Sequence, residues 1–69
     1  MYQTKRSRIT NYLKNIFDRL RDNGKTANKS ILIATVSLEL GVREREVEDV
    51  LNTYAHANMI EIKDGDILL

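Results

Sequence analysis

Arg45 and Asn52 carry the side chains in this sequence best suited to reading another molecule. A guanidinium offers a rigid fork of donors that fits the major-groove edge of guanine, and a carboxamide fits that of adenine. The two sit seven residues apart in "REVEDVLN", so a helix sets them on one face about two turns apart. Glu46 and Asp49 flank them and would accept from a cytosine amine. A simpler account competes: Arg45 can pair with Glu48 or Asp49 at i+3 and i+4, a solvated arrangement with roughly 0.2–0.5 kcal/mol per pair.

Other chemistries find little support. His56 is the sole histidine and cysteine is absent, so neither a zinc site nor a disulfide framework can be assembled. Ser7, Ser30 and Ser37 have no evident base, and the glycines at 24, 41 and 65 are too widely spaced for a phosphate loop. The expectation is a chain that is not an enzyme and takes no cofactor, metal or small-molecule ligand. No apolar run approaches the roughly 18 residues of a membrane span, and the basic N-terminus leads into no apolar leader. An intracellular, soluble, complete protein without membrane contact, placed in the cytoplasm or nucleoid, is expected.

The helix carrying Arg45 and Asn52 needs a core to hold it. Val47, Val50, Leu51 and Tyr54 supply its apolar face over about 44–57. Its first turns are acidic; near the positive end of a helix dipole, Glu44 and Glu46 have a structural reason to be there. Ile9, Tyr12, Leu13, Ile16, Phe17 and Leu20 recur at i, i+3, i+4, i+7, i+8 and i+11 and predict a first helix over about 5–22, capped by Thr4 or Ser7 and closed by Asp22–Gly24. Between them, "SILIATVSLELG" predicts a helix over about 29–40, buried on most sides, capped by Asn28 or Ser30 and ended by Gly41, with a short extended piece near 25–27. Asn58 can end the third helix, and "IEIKDGDILL" alternates about Asp64-Gly65, which predicts a hairpin over about 60–69. A single domain of 69 residues follows, in the α+β class and mainly α. Phe17, Tyr12 and Tyr54 fall at core spacing; Tyr2 lies outside the pattern.

Charge is distributed unevenly along the chain. Residues 1–21 hold six basic residues against one acid, +5, whereas 46–69 hold six acids against one lysine, −5. Such a basic segment suits a phosphate partner. The segment "VREREVEDV" at 42–50 runs the other way, with two arginines against four acids.

Three helices, a glycine turn between the second and third, then a hairpin, is an order that resembles the winged helix-turn-helix family over nearly the whole chain. The residues that carry the resemblance are "LELGV" at Leu38–Val42, Val47 and Leu51 on the third helix, and "ANMIEI" at Ala57–Ile62. It implies a small regulator of transcription that binds double-stranded DNA, with the third helix in the major groove. By the same resemblance Lys5, Arg6, Arg8, Lys25, Lys29 and Arg43 would ring the backbone, and Lys63 would touch a phosphate from the wing. Lys14, Arg19 and Arg21 read as scattered surface charge. The acidic third helix and a minimal wing depart from the family pattern and keep a rival open, an interaction module docking on a basic partner. A homodimer on a palindromic site is expected, through the first helix or an exposed apolar end at Ile67–Leu69.

Overall fold

The computed structural model describes residues 4–69; Tyr2 lies outside them. Three helices, α1 (Lys5–Asp22), α2 (Lys29–Leu40) and α3 (Glu44–His56), are combined with strands β1 (Ala27–Asn28), β2 (Glu61–Lys63) and β3 (Asp66–Leu68). The layout is the α+β, mainly α arrangement that the sequence predicts, with the hairpin at the C-terminal end.

Each helix starts where a polar side chain replaces a missing backbone partner. Thr4 Oγ1 accepts from the Ser7 amide at 3.1 Å, and Asn28 Oδ1 accepts from the Ile31 amide at 3.0 Å. α2 ends at Gly41, whose φ of 63° is a left-handed conformation that costs glycine nothing and an L-residue about 1–2 kcal/mol. The Ser37 carbonyl accepts from the Val42 amide at 3.2 Å, the Ser37 hydroxyl donates to the Val42 carbonyl, and the Val42 side chain drops into the core. Those contacts make the turn between α2 and α3 rigid.

The core is apolar throughout. Ile9, Leu13 and Phe17 of α1 meet Leu32, Ile33 and Val36 of α2, Val47, Val50 and Leu51 of α3, and Val42, Ile60 and Ile67 from the connecting segments and sheet. Phe17 and Tyr54 pack edge to face, ring centroids 5.3 Å apart at 87°. Tyr54 donates its hydroxyl to the Thr10 carbonyl at 3.4 Å, and burial, with a smaller contribution from the charge of Asp18, pushes its phenol above the ordinary 10.0.

The sheet has three strands in the order β1-β3-β2, both pairings antiparallel. Ile62 faces Ile67 and Lys63 faces Asp66 across a turn in which Asp64 and Gly65 both have positive φ, 53° and 81°. Positive φ at both central positions is the primed turn that matches the twist of a hairpin. β1 was only an extended stretch in the sequence; here Ala27 and Asn28 pair with Ile67 and Asp66. The Lys29 amide continues the contact by donating to the Gly65 carbonyl at 2.9 Å.

Two sequence expectations need correction. α2 is not buried on most sides: Ile31 and Leu38 are 67% and 84% exposed, because the three buried positions Leu32, Ile33 and Val36 already fill one face. Nor is Ile67 part of an exposed apolar end, since its side chain is fully buried beneath the sheet, and only Leu69 beyond it is exposed.

Candidate nucleic-acid interface

α3 packs Val47, Val50 and Leu51 inward, and the 3.6-residue period fixes what faces out. Arg45, Asp49, Asn52 and His56 are exposed on the opposite side. Arg45, Asn52 and His56 form one row along it, at spacings of seven and four residues. Arg45 forms no ion pair among the described residues. The solvated pairing with Glu48 or Asp49 is therefore not made, and the guanidinium is free to meet a partner.

The two flanks of that row differ. On one, α2 approaches, and a shallow depression is lined by Ser30, Ile33, Glu44, Arg45 and Glu48. On the other, the first turn of α1 approaches, and Lys5, Arg6, Glu46 and Asp49 line a cleft with Ile9 and Val50.

Glu46 lies in that second flank and is already occupied. Its Oε2 accepts from the Arg43 amide at 3.1 Å, half of a capping box at the start of α3, and its Oε1 lies 3.7 Å from Lys5 Nζ. An acid at this place satisfies a helix end and holds α1 to α3. Glu46→Ala is therefore expected to lower stability by about 1 kcal/mol, mostly through the lost cap bond, since the half-exposed ion pair adds little. Chemical denaturation measures the stability, and duplex affinity should not fall in the same variant. A fall in affinity would place Glu46 at a base edge instead.

The basic candidates sort in the same way. Arg6 Nη2 donates to Thr53 Oγ1 of α3 at 2.8 Å, and Arg8 Nη2 donates to the Leu40 carbonyl at 3.5 Å, at the negative end of the α2 dipole. With Lys5 on Glu46, all three cations at the start of α1 have contacts inside the molecule. Lys29 is half-buried where α2 meets the Gly65 turn. Lys25, Arg43 and Lys63 are exposed and form no ion pair among the described residues. The structure thus brings Arg45, Asn52 and Asp49 together on one face, and at its edge pairs Lys5 with Glu46 and Arg6 with Thr53. Lys25 lies between α1 and β1, and Lys63 is the last residue of β2.

The helical period sets Thr53 at the flank of this face, but sequence reasoning missed its contacts: it accepts from Arg6 while donating to the Asp49 carbonyl at 3.1 Å. The only hint was a small hydroxyl residue one position beyond Asn52.

Comparisons of the chain with protein-family models, with curated proteins and with solved structures find no match in any of the three. Among the described residues no cluster of three or more His, Cys, Asp or Glu is placed to hold a metal ion. No helix among them is long and apolar enough to cross a membrane.

Proposed function

We propose that this chain is a small, non-enzymatic, intracellular protein that binds double-stranded DNA as a homodimer and regulates transcription. α3 enters the major groove, with Arg45 and Asn52 at base edges and Asp49 beside them. Arg43, Lys25, Lys29 and Lys63 meet the phosphates, joined by Lys5, Arg6 and Arg8 from the start of α1. The observation that carries this reading is the exposed row of Arg45, Asn52 and His56 on the outer face of α3, with the guanidinium in no ion pair among the described residues. The order of elements, three helices and a hairpin with a rigid turn before α3, supports it as an analogy of fold. A second copy would double the phosphate contacts and fit two half-sites about one helical turn apart.

Binding to a pool of random duplexes, followed as a function of salt, tests the reading. Affinity should fall steeply as salt rises, and a shared motif should emerge from the bound fraction. Absence of binding at low salt would end it.

A second reading draws on the charge of α3, where Glu44, Glu46, Glu48 and Asp49 outnumber Arg45, and on the engagement of Lys5 and Arg6 within the molecule. In that reading the acidic face docks on a basic protein. Reversing Arg43 and Arg45 to glutamate separates the two, because it abolishes DNA binding and leaves docking on a basic partner intact or strengthened.

A further inference from the structure

β3 lies between β1 and β2, so β2 has one partnered side and one free edge. The hairpin determines what that edge displays. In a hairpin closed by two residues the flanking pair, Lys63 and Asp66, exchanges both backbone bonds, and the alternation leaves Ile62 and Ile67 as the pair without them. The Ile62 N–H and C=O therefore point outward. Glu61 and Lys63 stand on either side of Ile62, both exposed on the outer face of the sheet, and neither forms an ion pair among the described residues.

We propose that β2 pairs with β2 of a second copy of this chain, antiparallel about a two-fold axis at Ile62, to make one continuous sheet. Ile62 then faces its counterpart and exchanges two backbone bonds with it. Glu61 of each copy lies directly opposite Lys63 of the other, in the closely spaced type of pair where side chains meet. Beside its own Asp66 and the second copy's Glu61, each Lys63 is flanked by two carboxylates, so in this dimer the phosphate contacts fall to the other cations.

The charge order selects this register over its neighbours. A slip by two residues in one direction sets Glu61 against Glu61, and in the other Lys63 against Lys63. A slip of one residue turns the core face of one sheet to the solvent side of the other. Charges on a short edge ordinarily discourage pairing with foreign strands; here their symmetry about Ile62 admits one strand, the chain's own. The same register lays the Gly65 turn of one copy beside Met59 of the other. Met59 is 59% exposed and lines an open groove with Ile60, Glu61, Ile62 and Leu69.

This interface deepens the homodimer of the proposed function, yet it is measured without DNA, so either can fail while the other stands. Sedimentation of the full chain should show mass rising with concentration in the weak, transient range that a short edge supports. E61K and K63E, each placing two pairs of like charges in opposition, should each weaken association by about tenfold, and E61K/K63E should restore it. In the wild type, protection of the Ile62 amide from hydrogen exchange should rise with concentration. A chain that stays monomeric at millimolar concentration, single variants that associate like the wild type, a double variant that is not restored, or an Ile62 amide indifferent to concentration would each overturn the proposal.

Discussion

Leu51→Ala is expected to leave most of the chain unfolded at room temperature. Leu51 is fully buried, in a core of twelve residues shared by all three helices and the sheet. Truncating a buried leucine costs about 2–5 kcal/mol, the larger values where the surroundings cannot collapse. Leu51 lies on the inner face of α3, with Val47 and Val50. Native domains hold roughly 0.05–0.15 kcal/mol per residue, so a chain of this length has about 3–10 kcal/mol in all, and a small core lies toward the lower end. The loss is thus comparable to the whole. Urea titration followed by circular dichroism should show either no folded baseline or a midpoint shifted close to zero denaturant. Leu38→Ala provides the contrast: the same chemical change at a side chain 84% exposed should move stability by less than about 0.5 kcal/mol. A loss below 1 kcal/mol at Leu51 would mean that α3 is not seated as described.

Arg45→Ala should reduce duplex affinity by about tenfold to a hundredfold for each half-site, the worth of one bidentate base contact. Folding should be unaffected, because Arg45 is exposed and makes no ion pair among the described residues. Arg45→Lys should recover little, since an ammonium cannot reproduce the fork of a guanidinium, and a full recovery would reassign Arg45 to a phosphate. Asp49, on the same exposed face, gives the opposite sign. Asp49→Asn removes a charge that repels phosphates, so binding should tighten and discriminate less between sequences. Competition between a selected duplex and a scrambled one reads both changes. Affinity unaltered by Arg45→Ala, with folding intact, would remove α3 from the interface.

What sequence could reveal here depended on distance along the chain. The first helix, its cap at Thr4, the glycine at 41, the asparagine at 58 and the Asp64-Gly65 turn are local patterns, each decided within a few residues, and all of them are present. The outer face of α3 was equally legible, because a helical period is enough to align Arg45 with Asn52. The commitments of Lys5, Arg6 and Glu46 were not, since Arg6 and its partner Thr53 are separated by 47 positions and no periodicity relates them. The pairing of β1, as distinct from its extended backbone, was illegible for another reason. Two residues cannot display an alternating pattern, and their pairing exists only because β3 arrives from the far end of the chain. In α2 the run of apolar residues gave no single period, and so could not reveal that Ile31 and Leu38 would remain outside.

Asn28 is at once the last residue of β1, opposite Asp66, and the cap of α2, and the next residue gives its amide to Gly65. No length of free chain separates the sheet from the helix. To lift the hairpin away, the first turn of α2 must lose the Lys29 bond and its cap must leave the strand that holds it. Hairpin and helix start are therefore a single opening unit, whose amides exchange with solvent together rather than one after the other. A force applied at the Gly65 tip is delivered directly to the end of α2, and the hairpin acts as a handle on that helix.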